Sequence, residues 1–158
     1  MKVLDDWMDH EKFIRAVIYG ALQNLNRNPK AKFAACIVKG SRVLSFGYNT
    51  TSVAHDIVAH AEINAIRSTS KKLRLEHHGS LRGFTLYSTC EPCIMCFGAS
   101  KYSGIKKIVY GISLDDLSKL NSGQKLVPRK QHRYMKEEVE MVGGVLRQEC
   151  IDLFSRFH

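Results

Sequence analysis

The segment that decides the fold of this chain reads Cys90-Glu91-Pro92-Cys93-Ile94-Met95-Cys96. The apolar run at residues 84–88 predicts a buried strand before it, and residues 91–102 predict a helix with Pro92 in its first turn, where the missing N–H costs nothing. A Cys-x-x-Cys pair at the start of a helix brings two sulfurs close enough to share one tetrahedral metal ion. The helix N-terminus also stabilises the two thiolates. We therefore expect a metal site at this strand-to-helix turn.

A second cluster, His60-Ala61-Glu62, stands at the start of another helical pattern. An imidazole from His60 gives the site a third protein ligand beside Cys93 and Cys96, one fewer than a closed structural zinc site has. The open position favours a catalytic Zn²⁺ that activates water. Glu62, two residues after the histidine, is placed to accept a proton from that water and to deliver protons to the substrate.

Other interpretations of these motifs remain open at this point. Cys-x-x-Cys alone is also typical of a redox pair or of half a closed zinc finger, and His-x-Glu alone is common by chance. The two motifs occur together, and a predicted strand precedes each of them. This combination favours the catalytic site. The rival from another class is a zinc-stabilised binding module without activity.

The rest of the chain alternates helices with strands. An amphipathic helix is predicted over residues 9–26, ended by Asn28-Pro29, and a β-hairpin over 33–38 and 42–48. Further strands are expected at 105–110 and 139–142, with helices at 114–120 and 145–157, and residues 121–136 read as a polar surface excursion. This alternation predicts an α/β/α sandwich. The chain of 158 residues with 44% hydrophobic content suits a single domain over 1–158.

The charge and the cysteine content limit the classes of partner and the cellular compartment that we expect. The 24 Lys and Arg outnumber the 15 Asp and Glu, and the net charge of +9 suits an anionic partner such as a nucleotide or RNA. The five cysteines are an odd number, and acids stand in the first six residues, where a signal peptide needs an apolar core. We expect a cytoplasmic protein with reduced thiols. No apolar run approaches the roughly 20 residues that a membrane span needs, so no membrane partner is expected.

The two clusters resemble the His-x-Glu and Pro-Cys-x-x-Cys zinc signature of the cytidine deaminase-like superfamily. The resemblance extends over residues 10–115, because 33–38, 47–49 and 109–111 are similar to the family's first core strand, its substrate-side turn and the strand after its zinc helix. It implies a three-layer α/β/α sandwich with a mixed central sheet of about five strands. It also implies zinc-dependent hydrolytic removal of an exocyclic amine from a nucleobase, with release of ammonia, by a homodimer.

Residues 91–99 look most like the branch that holds guanine deaminases and tRNA adenosine deaminases. By that resemblance, the Asn49 amide and the backbone N–H of Ala61 would contact the base, and Phe33 would also belong to the substrate site. The chain departs from the branch at Asp56-Ile57-Val58, where Asp-Pro-Thr is usual, and at Lys32 and Ala34, which replace Pro and Gly.

Three substrate classes compete. Phe33 and the sequence after Gly111 resemble the guanine-type branch, whereas the positive charge, the basic stretches 71–74 and 125–136, and the 143–146 segment are similar to tRNA-acting relatives. Residues 60–66 and 103–107 resemble pyrimidine nucleotide deaminases. We rank a purine-type base or nucleoside first, tRNA second and a pyrimidine third.

Overall fold

The computed structural model describes residues 2–76, 79–120 and 139–156. Five α-helices lie in this part of the chain: α1 (Lys2–Asn24), α2 (Ala61–Lys72), α3 (Ile94–Tyr102), α4 (Leu114–Leu120) and α5 (Arg147–Ser155). Five strands accompany them: β1 (Ala34–Lys39), β2 (Arg42–Tyr48), β3 (Thr85–Cys90), β4 (Lys107–Ile112) and β5 (Glu140–Gly143). A short 3₁₀ turn, Pro29–Lys32, precedes β1.

The strands form one sheet in the order β2-β1-β3-β4-β5. Strand β1 is antiparallel to both β2 and β3, whereas β3, β4 and β5 run parallel. The expected mixed five-stranded sheet is confirmed. Because of this topology, the start of β1 lies beside the ends of β2 and β3, as the pairs Ala34–Tyr48 and Ala35–Ser88 show. We call this margin of the sheet the site edge.

Helices cover both faces of the sheet, as the three-layer prediction requires. On one face, α1, α4 and α5 bury the larger apolar cluster, which includes Ile14, Val17 and Leu153. On the other face, α2 and α3 bury a smaller cluster around Ala65 and Phe97. Burying each large apolar side chain stabilises the fold by about 1.5–3 kcal/mol, so the two clusters hold the layers together. In the described part of the chain, no helix combines the length and apolar character that crossing a membrane would require.

Helix α3 begins later than the sequence predicts. Its first residue is Ile94 and Cys93 is its N-cap, so the prediction that Pro92 lies in the first turn is wrong. The reason is that β3 runs on to Cys90 and the Glu91 N–H still donates to the Ile112 carbonyl, at 2.8 Å. The residue before a proline also disfavours helical backbone angles, so a helix does not begin readily at Glu91.

Other boundaries shift by a few residues. Helix α1 starts at Lys2 and not at residue 9, and α5 spans Arg147–Ser155, inside the predicted 145–157. Asn28 caps the 3₁₀ turn, because its side chain accepts a hydrogen bond from the Lys30 N–H at 3.1 Å. The basic stretch 125–136 lies outside the described residues.

Strand β2 and helix α2 approach each other more closely than they could if Gly47 carried a side chain. A Cβ atom at Gly47 would overlap the carbonyl oxygen of Ala61 and the amide nitrogen of Ala65. The first turn of α2 therefore rests directly on the backbone of β2.

Candidate metal and catalytic site

Two helix N-termini meet at the site edge and bring the cysteines and the histidine together. His60 is the N-cap of α2 and Cys93 is the N-cap of α3, both with extended backbone, at φ −70° and −67°. Cys96 follows in the first turn of α3. The loop after β2 delivers the histidine and the loop after β3 delivers the cysteines, so the sheet topology fixes the distance between them.

The geometry of this cluster fits a zinc ion. The Nδ1 atom of His60 lies 3.6 Å from Cys93 Sγ and 3.6 Å from Cys96 Sγ. Tetrahedral bonds of zinc to nitrogen and sulfur would separate these atoms by about 3.6 Å. In the part of the chain that the structure describes, His60, Cys93 and Cys96 are the cluster whose ligand atoms could hold a metal ion, all within 4.8 Å of one another.

Electrostatics inside the cluster favour thiolate. A hydrogen bond from Cys96 is the main cause that lowers the pKa of Cys93, to about 4, and the hydrogen bond with His60 adds to it. The pKa of His60 is raised, chiefly by its hydrogen bond to Cys93, while burial and, less strongly, the positive charge of Lys30 oppose this rise. The cysteine pair thus holds a negative charge at neutral pH, which a divalent cation would stabilise.

Glu62 lies beside the cluster with its carboxyl group buried. Its relative exposure is 7%, and burial raises its pKa. The Ser88 hydroxyl donates to Glu62 Oε1 at 3.0 Å and so fixes the carboxyl group from strand β3. A carboxyl group that is desolvated and held in place by hydrogen bonds is suited to accept and release a proton.

The residues expected to contact substrate occupy the same edge. Asn49 directly follows β2, and its Oδ1 accepts from the N–H of Thr51 at 3.1 Å and from the Thr51 hydroxyl at 2.9 Å. The side chain therefore also stabilises its own turn, the structural role that Asn often has. Ala61 is the first residue of α2, where backbone N–H groups have no partner inside the helix. The ring of Phe33 packs edge-on against Phe154 of α5, with centroids 4.8 Å apart.

Two residues that the sequence analysis did not single out support the site. Ser88 orients Glu62, as described. The Asn64 Nδ2 atom donates to the carbonyl oxygens of Tyr48 at 2.8 Å and Ala59 at 3.3 Å, the residues immediately before Asn49 and His60. No sequence signal identifies either one, because their partners come from other elements of the fold.

Residues 8–112 match the family described as the cytidine and deoxycytidylate deaminase zinc-binding region. The chain belongs to this family. The zinc-binding region that defines the family explains why His60, Cys93 and Cys96 have the geometry of a metal site. This chain is therefore a zinc-dependent deaminase, an enzyme that hydrolyses carbon–nitrogen bonds.

Individual relatives narrow the branch to which this deaminase is similar. A tRNA-specific adenosine deaminase of Buchnera aphidicola is 35% identical over 126 residues, which are 78% of this chain and 72% of the relative. A guanine deaminase of Bacillus subtilis is 34% identical over 109 residues, 69% of this chain and 68% of the relative. The structure of a guanine deaminase from Nitrosomonas europaea superposes with a TM-score of 0.80 at 23% identity, covering 93% of this chain and 83% of the other, and supports the fold.

Proposed function

We propose that this deaminase hydrolyses the exocyclic amine of a purine-type base or nucleoside and releases ammonia, with His60, Cys93 and Cys96 as zinc ligands and Glu62 as the catalytic acid and base. The observation that carries the proposal is the pairing of a three-ligand cluster with a buried carboxyl group held by Ser88. A closed structural zinc site would have four protein ligands and no need for a buried acid beside them.

Each residue has a part in this mechanism. Zinc bound by the three ligands would supply the Lewis acid that makes water nucleophilic near neutral pH. Glu62 takes a proton from the attacking water and passes it to the ring nitrogen. It then takes the second water proton, from the hydroxyl group on the attacked carbon, and passes it to the leaving amine. Ser88 holds the carboxyl group in position during these transfers. Asn49, the N–H of Ala61 and the ring of Phe33 orient the base so that its amine-bearing carbon faces Glu62.

The relatives support a purine-type substrate, because a guanine deaminase and a tRNA-specific adenosine deaminase match this chain at nearly equal identity. An adenosine in tRNA is the second candidate, since the net charge of +9 suits a polyanion. A cytosine or pyrimidine nucleotide is the third.

One ammonia-release assay ranks these candidates. Guanine, guanosine, adenine, adenosine, cytosine, dCMP and a tRNA anticodon stem are each incubated with the zinc-loaded protein. We expect the highest rate with a purine-type substrate, and the Glu62→Ala variant should keep its zinc but lose about 10²–10⁴-fold in turnover, as expected when a positioned proton-transfer group is removed.

The conservative Glu62→Gln variant is the matched control, because it keeps the shape of the side chain but cannot exchange the proton. If neither variant changes turnover, Glu62 has no catalytic role. If the intact protein releases no ammonia from any of these compounds, the chain is a zinc-stabilised binding module and the proposal fails.

We further propose a homodimeric, cytoplasmic enzyme with one domain over residues 1–158. All five cysteines are free thiols, which suits a reducing compartment. Both apolar clusters pack against the same sheet, which supports one domain. Analytical ultracentrifugation would test the dimer.

A further inference from the structure

Two lysines lie at the site edge in the segment that precedes β1. Lys30 and Lys32 belong to the 3₁₀ turn Pro29–Lys32, and the Lys32 carbonyl accepts a hydrogen bond from the Thr89 hydroxyl at 2.8 Å, at the end of β3. The antiparallel pairing of β1 with β3 therefore places this turn beside the strand that leads into Cys93.

Lys30 reaches the loop that carries Asn49. Its Nζ lies 3.4 Å from the hydroxyl oxygen of Thr51, and that hydroxyl donates to Asn49 Oδ1 at 2.9 Å. At 3.4 Å the contact with Thr51 is long, so it leaves the exposed ammonium able to bind a stronger acceptor. Asp56, an acid in the same loop, is paired with Arg67 at 3.3 Å.

Lys32 lies near the residues that we expect to contact the base, on the side where α5 packs. Its ammonium lies 5.8 Å from the centre of the Phe154 ring, and Phe154 in turn packs against Phe33. Partial burial lowers the pKa of Lys32, and a nearby anion would offset that cost. Two cationic groups thus flank the residues that we propose to hold the base.

We propose that Lys30, assisted by Lys32, binds a phosphate group attached to the purine nucleoside, so that a phosphate-bearing purine substrate, a nucleotide or an RNA segment, is preferred to the nucleoside alone. This inference rests on the proposed deaminase function and narrows its substrate. Lysine is a flexible point charge that binds phosphate without requiring a fixed geometry, which suits either a terminal or a backbone phosphate.

The test compares substrates that share one base and differ in phosphate. The kcat/KM is measured for the nucleoside, its 5′-monophosphate and an RNA stem-loop containing the same nucleotide, with the wild-type protein and three variants. We expect a phosphate-bearing substrate to exceed the nucleoside by about tenfold, the usual effect of one charged hydrogen bond. Lys30→Ala should abolish that ratio and Lys30→Arg should largely restore it.

Lys39→Ala is the matched control, because it removes one exposed positive charge from the end of β1, the strand whose opposite end lies at the site edge. It should leave the ratio unchanged. A preference for the monophosphate identifies a free nucleotide and a preference for the stem-loop identifies RNA, and either supports the inference. If Lys30→Ala lowers all substrates equally, Lys30 only braces Thr51 and the inference is overturned. It is also overturned if phosphate gives no preference.

Failure of the deaminase function itself gives a different result, because then the wild-type protein releases no ammonia from any substrate. Calorimetric titration with the nucleoside and its 5′-monophosphate then tests phosphate binding without turnover. Tighter binding of the monophosphate that is lost in Lys30→Ala upholds the phosphate site alone, and equal binding of the two compounds rejects it.

Discussion

The two faces of the sheet are built differently. The face covered by α1, α4 and α5 buries the larger apolar cluster, and two of its ion pairs, Arg15–Glu149 and Arg147–Asp116, lie at the surface. The face covered by α2 and α3 has the smaller cluster and buries Glu62 next to the cluster that could hold a metal ion.

This difference separates stability from chemistry. A buried carboxyl group costs free energy unless it is hydrogen-bonded, and even then it contributes less to stability than an apolar side chain. In the mechanism that we propose, the α2 and α3 face accepts that cost because catalysis would need Glu62 and an open metal cluster. The opposite face, where His10 and Tyr87 form a buried hydrogen bond at 2.9 Å, supplies most of the apolar packing.

Removing a metal ligand should have the largest effect. Cys93→Ser is expected to lose zinc and to lower kcat by at least about a thousandfold, because the Lewis acid is lost with the metal. Mass spectrometry of the metal content and the ammonia assay measure both. The control is Cys90→Ser, which alters a buried thiol three residues earlier and should keep zinc. Equal zinc loss in the two variants would contradict the assigned ligand set.

A truncation on the opposite face should affect stability and spare the chemistry. Ile14 is fully buried on α1, so Ile14→Ala should reduce the free energy of unfolding by about 2–5 kcal/mol. Tyr19→Ala, at a 65% exposed position of the same helix, should change it by less than about 0.5 kcal/mol. Urea denaturation gives both values. A drop in kcat of folded Ile14→Ala protein would show that the two faces are coupled.

Ser88→Ala tests the support of Glu62. The substitution removes the donor to Glu62 Oε1, and we expect about a tenfold loss in kcat with little change in KM, because the carboxyl group loses its orientation. Ser88→Thr keeps the hydroxyl and should retain more activity. Unchanged kcat in Ser88→Ala would show that the hydrogen bond does not position the acid.

The smallest effect is expected at Asp116, which joins α4 to α5. Its carboxylate accepts from the Ser113 N–H at 3.1 Å and from Arg147 at 2.6 Å, and the bond with Arg147 is the main cause that lowers its pKa to about 2. Asp116→Ala should cost about 1 kcal/mol, because it removes the carboxylate that pairs with the helix cap Ser113 and with Arg147.

The pH dependence of this contribution follows from the lowered pKa. The folded value lies below the unfolded value of about 3.9, so the stabilisation is present above pH 4 and is lost as the pH falls towards 2. Thermal melts between pH 2 and pH 7 should show the gap between wild type and Asp116→Ala closing on the acid side. A gap that stays constant from pH 7 to pH 2 would show that the bond with Arg147 does not lower this pKa.

Patterns within short segments predicted the metal cluster. The role of Ser88 and the start of α3 depend on contacts between distant segments, which those patterns do not contain. His60, Cys93 and Cys96 are recognisable because their spacing along the chain sets their chemistry. Ser88 could not be predicted, because its role depends on the strand that brings it to Glu62. Pro92 was misplaced because the hydrogen bond from Glu91 to β4 extends the strand beyond its apolar run.

The direct backbone contact at Gly47 has a consequence for engineering. Since no side chain separates β2 from the first turn of α2, there is no room to adjust the metal cluster by mutating position 47. Ile57, 88% exposed in the loop before His60, offers such room. A directed-evolution library aimed at new substrates would yield more functional variants with substitutions in the loop around Ile57 than with substitutions at Gly47 in β2.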